Sequence, residues 1–416
     1  MTTHSFSRRA LLGGSVLSSL GFLLAPQPGW AQGAAVQGRR QSPVLLCVFL
    51  RGAADGLNIV VPHGDPEYYR LRPSIAVPRP GPSGGVLDLD GRFGLHPRLA
   101  PLKAAYDAKQ LALITAVGSP HPTRSHFEAQ DYMETAAVGE HSTTRGWLAG
   151  YLQTRPASEA GVLRAVAVTA RPPLALRGYH DAVVARSLKD FRLNVGSGLG
   201  SVLSAGFRRL YAADASSLAE RAGGRGLAAS DVVARVVGKS RGDVSGYAHD
   251  AQDFADVARL IKADVGLETA WIDLGGWDTH RQQGSSENGE LPRQLERLGR
   301  ALAAFRADLG PDLERVVVVV MSEFGRTARE NGTGGTDHGH GNMMLVLGGK
   351  VRGGKVFGHL PGLAADQLFE GRDVAVTTDF RDVLGELCER HLRMPDASTL
   401  FPGYKLDHKR RLGLLT

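Results

Sequence analysis

At 416 residues, with 43% hydrophobic and 22% charged content, the chain has an ordinary globular composition and room for a large core. That balance excludes a disordered chain and a polytopic membrane protein. The formal charge of +7 is scattered, with no basic helix or aromatic-interleaved patch, so no nucleic-acid partner is expected.

The first 31 residues read as an export signal. Ser7-Arg8-Arg9-Ala10-Leu11-Leu12 opens an apolar stretch that runs to Ala25 and closes at Gly29-Trp30-Ala31. The paired arginines point to the twin-arginine route, hence to that export machinery as a partner and to a periplasmic or extracellular location. The stretch is broken by Gly and Ser, so no stable transmembrane segment is expected after cleavage. Its loss takes two arginines and no acid from the +7, leaving +5.

Residues 32–42 form a Gly/Gln/Arg-rich linker. From 43 to 416 apolar runs of strand length alternate with helical patterns, which predicts one large α/β domain. Val44 to Leu50 is a continuous apolar run, as in a strand buried on both faces. His96 to Lys109 is helical in pattern, Leu111 to Val117 a strand, and Ser125 is placed to cap a helix through Met133. Arg164 to Thr169 is another strand. Residues 171–262 are rich in Ala and Arg and poor in candidate ligands, and they read as a helical insertion. Strands are expected again at Thr269 to Leu274, Val316 to Val320 and Met343 to Leu347. Leu291, Leu295, Leu298, Leu302, Phe305 and Leu309 fall on one helix face between them. A last helix starts near Asp379 and runs to about Leu392. Cys47 and Cys388 both sit in apolar settings and read as small buried residues rather than a disulfide framework or a nucleophile.

Five loops at expected strand ends hold most of the chemistry-bearing side chains. They carry Asp55; Arg124 with Ser125; Asp278 with His280; Glu323 with Arg326; and Asp337, His338 and His340. Carboxylates with imidazoles and no thiolate suit Zn²⁺, Mn²⁺, Mg²⁺ or Ca²⁺. Open α/β sheets gather such sites at the carboxyl ends of their strands. Plainer readings stand beside these: Asp55 bonding its own turn, Ser125 as a helix cap, Glu323 paired to Arg326, and His121 and His126 as loop or packing histidines. His141, His180 and His249 have no comparable company.

The segments Arg-Gly-Ala-Ala-Asp-Gly-Leu-Asn, Gly-Gly-Trp-Asp-Thr-His, Ser-Glu-Phe-Gly-Arg-Thr and Gly-Thr-Asp-His-Gly-His-Gly, with the twin-arginine start, resemble the exported DUF1501 family. That family is distantly similar to the alkaline phosphatase and sulfatase superfamily. The resemblance implies a three-layer α/β/α fold with a mostly parallel central sheet. It implies divalent metal ions held by Asp55, Asp278, His280, Glu323, Asp337, His338 and His340. It also implies Ser125 (or Thr123) as nucleophile, with Arg124 and Arg326 neutralising anionic charge. The pattern departs from the superfamily in two places. Asp278 and His280 are two residues apart rather than four, and Phe324 stands where a histidine is usual.

The function so implied is an exported metal-dependent hydrolase acting on a phosphate or sulfate ester of a small molecule or glycan. The alternative is a non-catalytic binding or assembly protein on the same scaffold, and a mutase would share the same ligands.

Overall fold

A computed structural model describes residues 42–81, 84–140, 143–155, 161–191, 200–211, 217–238 and 246–416. The expected signal, the linker up to Gln41 and His141 lie outside them. Among the described residues no helix is long and apolar enough to cross a membrane.

The strands in chain order are β1 (Val44–Leu50), β2 (Val60–Val61), β3 (Leu87–Asp88), β4 (Gly94–Leu95), β5 (Leu111–Gly118) and β6 (Ala165–Val168). They continue with β7 (Val183–Ala185), β8 (Thr269–Leu274), β9 (Val316–Ser322), β10 (Asn342–Gly348), β11 (Lys355–Phe357) and β12 (Thr378–Asp379). The main sheet runs β11-β5-β10-β9-β1-β8-β6-β7, with β12 beside β5, while β2, β4 and β3 form a small antiparallel sheet of their own.

Every pairing in the main sheet is parallel except those of β10, which is antiparallel to both β5 and β9. This one reversal positions the site. A loop leaving the carboxyl end of β9 can enter β10 at the same edge of the sheet, so residues 323–341 never cross to the far side.

The apolar runs are buried strands for the reason their composition suggests. Val44, Leu46, Val48 and Leu50 pack into one core, and Leu45, Cys47 and Phe49 into a second on the opposite face. β9 divides the same way, with Val316, Val318 and Val320 on one side and Val317, Val319 and Met321 on the other. Helices cover both faces. Leu291, Leu295, Leu298, Leu302 and Phe305 of Glu290–Leu309 close the first core beside Phe254 and Val257 of Gln252–Lys262. Trp147–Gln153 and Phe380–Glu386 close the second. The result is three layers, helix on sheet on helix.

Several details differ from the expected elements. His96 to Lys109 is a 3₁₀ turn, Pro97–Leu102, before a short helix, Lys103–Asp107, because Pro97 and Pro101 limit regular hydrogen bonding. The last helix ends at Glu386 and widens into a π turn, Leu387–His391. Residues 171–262 contribute an edge strand, β7, as well as helices. Cys47 and Cys388 are both buried free thiols.

At the start of Gln252–Lys262, burial first and then the nearby Asp256 carboxylate push Asp253 up to about 6, against the opposing charge of Arg297. The folded state therefore binds this proton more tightly than the unfolded chain, and stability falls as pH rises from about 3.9 toward 6. Asp253→Asn should stabilise the protein at pH 8 by on the order of 1 kcal/mol, discounted for partial exposure, with no gain at pH 3.5. Urea denaturation at the two pH values tests this, and an equal effect at both would contradict it.

Candidate functional site

Four connections meet at one edge of the sheet: the turn after β1, the turn after β8, the loop from β9 to β10, and the start of the helix His126–Thr135. Arg326 ties three of them together. Its side chain is fully buried and donates to the carbonyls of Gly52 (2.5 Å), Ala53 (2.6 Å), Trp277 (3.2 Å) and Thr336 (3.0 Å), and to Asp278 Oδ1 (2.5 Å). Gly52 permits the close approach. Its φ is +117°, and a Cβ there would lie 2.6 Å from the Asp278 amide nitrogen.

Four side chains converge beside this strut. Asp278 Oδ1 lies 3.0 Å from His280 Nε2 and 3.4 Å from His338 Nε2, and Asp278 Oδ2 lies 3.6 Å from His126 Nε2. The ligand atoms of His126, Asp278 and His338 all fall within 4.8 Å of one another. His280 Nε2 and His338 Nε2 are 3.0 Å apart.

Each imidazole is oriented by an acceptor at its other nitrogen. His126 Nδ1 faces Glu323 Oε1 at 2.8 Å, His280 Nδ1 faces Asp337 Oδ1 at 3.1 Å, and His338 Nδ1 faces the Arg124 carbonyl at 2.8 Å. The Arg124 carbonyl draws the proton of His338 to Nδ1 and Glu323 does the same for His126, whereas His280 meets a carboxylate at each nitrogen; the Nε2 atoms of all three rings point inward. His126 Nε2 is buried without a hydrogen bond.

The charges of the cluster pull in two directions: His338 favours its neutral form and His126 its protonated one. Burial raises the Glu323 carboxyl, but hydrogen bonds from His126 and Gln130 and from backbone N–H groups outweigh it and hold the group below the usual range. Asp278 is likewise pushed up by burial and brought down further by Arg326, His280 and His126. Asp337 is held low by hydrogen bonds from Asn331 and then His280. Burial lowers His338, against its bond to the Arg124 carbonyl, so this ring favours the neutral form. His126 is raised by its bond to Glu323, which exceeds the opposing effect of burial.

The other sequence candidates fall elsewhere. Asp55 is fully buried, and both its oxygens are taken: Arg72 reaches them at 2.5 and 3.0 Å and Gln283 donates at 2.6 Å. It braces the loop rather than joining the converging donors. Glu323 also accepts from Gln130 and from the Gly52 amide, both at 2.9 Å, and stands one hydrogen bond behind the cluster, as Asp337 does. The His340 ring packs on Phe369 with centroids 4.4 Å apart. Arg326 is the strut described above, with its charge spent on Asp278 and backbone carbonyls.

Arg124 is turned toward Asp373 (2.6 Å) and Glu370 (2.6 Å). Ser125 sits at the N-cap of His126–Thr135 with no capping bond from its hydroxyl. Thr123 Oγ1 is already engaged by Glu128 at 2.5 Å and by the Ser125 amide, which makes Ser125 the freer of the two hydroxyls. Phe324 stacks on His126 with centroids 5.0 Å apart and lies 5.1 Å from His338, so it walls the imidazoles instead of adding a fifth donor.

His126, expected as a packing residue, is the functional candidate that the sequence reading missed. Its one sequence signal was its place directly after Ser125 at a helix start.

The family profile DUF1501, described as a protein of unknown function, matches residues 43–400. No curated protein matches the sequence. Among solved structures, the chain is similar to the C-terminal periplasmic domain of EptC from Escherichia coli in complex with Zn. There the identity is 9% and the TM-score 0.37, over 74% of this chain and 73% of that one. It is also similar to an alkaline phosphatase superfamily protein from Vibrio parahaemolyticus, at 10% identity and TM-score 0.34, over 75% and 61% of the two chains. The lipoteichoic acid synthase LtaP from Listeria monocytogenes matches at 10% identity and TM-score 0.30, over 75% and 67%.

Proposed function

The chain belongs to the DUF1501 family, and on that footing we propose that it is an exported metal-dependent hydrolase of phosphate or sulfate esters, whose ion is held by His126, Asp278, His280 and His338. The observation that carries the metal is the 3.0 Å approach of His280 Nε2 to His338 Nε2. With Nδ1 of His338 donating to the Arg124 carbonyl, its Nε2 lone pair faces His280 Nε2, and a proton on His280 or a shared cation satisfies it. The spacing suits a cation as well as a hydrogen bond. Ligand atoms about 2.1 Å from one ion stand roughly 3.0 to 3.4 Å apart for octahedral to tetrahedral angles. The separations among Asp278, His280 and His338 span 3.0 to 3.4 Å.

Imidazole donors with carboxylates behind them are the usual support of a bound transition metal. Three nitrogens and one oxygen favour Zn²⁺ or Mn²⁺ over Mg²⁺ or Ca²⁺. A divalent ion here would supply Lewis acidity toward an ester oxygen.

The protein's own groups supply the rest. Ser125 offers a hydroxyl without a capping bond at the N-terminus of a ten-residue helix, where unpaired backbone N–H groups favour an anionic group. Glu323 holds His126 with Nε2 turned inward, and Asp337 orients the His280 ring. Phe324 excludes water from one side of two rings. Arg124 would reach the ester only by leaving Asp373 and Glu370. Export rests on the Ser-Arg-Arg-x-x-Leu start.

Metal analysis of the purified protein after loading and desalting, followed by a panel of phosphate and sulfate monoesters with Zn²⁺ and Mn²⁺, tests the proposal. About one ion per chain and metal-dependent turnover are expected; less than half an ion per chain would overturn it. A binding protein without catalysis is the second reading, favoured by the withdrawal of Asp55 and Arg326 into structural bonds. It would show the ion and no turnover.

A further inference from the structure

A groove of about 600 Å³ runs along the other flank of the helix His126–Thr135, lined by Arg51, Phe127, Gln130, Asp131, Thr169 and Arg171 among others. Its volume is that of a small-molecule site, where pockets commonly measure about 300 to 1,000 Å³. It lies at the carboxyl ends of β1, β6 and β8, the same edge of the sheet as the imidazole cluster.

A single chain of hydrogen bonds joins the two. Arg51 Nη1 donates to Gln130 Oε1 (3.0 Å), Gln130 Nε2 donates to Glu323 Oε1 (2.9 Å), and Glu323 holds His126. Two residues, Glu323 and His126, therefore separate the groove-lining Gln130 from the proposed metal centre.

The chemistry of the lining narrows the occupant. Three arginines, Arg51, Arg171 and Arg186, face four acids, Asp131, Glu134, Asp253 and Asp273. Arg51 is largely neutralised, bound to Glu134 at 2.5 Å and Asp273 at 2.9 Å. A wall so balanced offers no net attraction to a polyanion or a polycation. It does offer donors and acceptors side by side, which suits a body rich in hydroxyl groups.

Phe127 supplies the apolar complement. It is 86% exposed, directly follows His126 and lines the groove. An exposed phenyl ring forgoes the gain of burial, so a ring left in water at the rim of a polar groove is informative. The flat C–H face of a pyranose would suit such a ring, with Asp131 and Arg171 in the same lining to meet its hydroxyls.

We propose that this groove is a carbohydrate subsite, and that the ester presented to the imidazole cluster is carried on a glycan. The inference deepens the hydrolase reading and rests on it for the ester. The groove itself is tested separately.

A printed array of unsubstituted, sulfated and phosphorylated oligosaccharides, probed with the full metal-loaded protein, is the experiment. Retention of ester-bearing oligosaccharides is expected, with Phe127→Ala and Asp131→Asn each losing at least about tenfold in signal at parental metal content. Sugar retention by metal-free protein would sustain the groove even if the metal reading failed. No oligosaccharide retained, or retention unchanged in both variants, would overturn it. Self-association abolished by Phe127→Ala, with no sugar bound, would overturn it in favour of a second copy of this chain.

Discussion

Replacing His338 with Ala should leave the protein with less than about a tenth of the metal that the parent retains after equal loading. Its Nε2 lies within 3.4 Å of both Asp278 and His280, so one substitution removes a donor in reach of two others. The fold should survive. What the ring gives up besides its place in the cluster is one hydrogen bond to the Arg124 carbonyl and a contact with Phe324, a loss of about 1 kcal/mol. Glu323→Gln makes a graded comparison. It keeps the shape of the side chain but weakens the acceptor behind His126, and support of that kind is worth about 10- to 100-fold in metal affinity. Competition with a chelator of known affinity, read by elemental analysis, would show a large loss for His338→Ala and a partial one for Glu323→Gln. Parental metal content in both would place the ion somewhere else.

Arg72→Met should cost stability on a different scale. Arg72 is fully buried and bonds Asp55 through two nitrogens, Asn58, and the carbonyls of Thr327 and Ala328. Removing it strands the Asp55 carboxylate in the interior, and breaking a buried pair in this way costs about 3 to 5 kcal/mol. A shift of the urea midpoint with an unchanged slope is the expected result. The companion variant Asp55→Asn separates bracing from ligation. If Asp55 only braces the loop, folded Asp55→Asn protein binds metal like the parent. A fall in bound ion would return Asp55 to the coordination sphere.

The contrast between these two carboxylates explains how far the sequence could be read. The strands were legible because they are buried on both faces, and a run such as Val316 to Val320 has few other uses. Their directions were not. Nothing in Met343 to Leu347 announces that β10 alone runs against its neighbours, since residues buried on both faces look the same in either sense. The small sheet of β2, β3 and β4 was missed because two-residue strands leave no periodicity to find.

At the site, Asp278, His280 and His338 could be picked out by their Gly-spaced turns at strand ends. A carboxylate that would bind an ion and one that steadies an imidazole look alike in a sequence, so nothing there sets Glu323 and Asp337, each bonded to a ring nitrogen, apart from Asp278. The bonding of Asp55 is illegible for a similar reason. Its partner Arg72 is only 17 residues away, yet it sits in an unremarkable Arg-Leu-Arg-Pro stretch whose burial depends on the whole fold. His126 needed the tertiary contact with Glu323, which lies 197 residues further along the chain.

Arg326 has a consequence for how the site keeps its form. Most proteins that gather ligands from distant loops rely on the ion to draw the loops together, and binding is then partly spent on ordering the chain. Here a buried guanidinium already spans the gap, joining carbonyls as far as 274 residues from it in the sequence. An ion bound by the proposed donors would be a guest in a finished frame, able to leave and be exchanged without refolding. A chain exported in the folded state, as proposed, would then trade its metal on arrival for whichever ion prevails there.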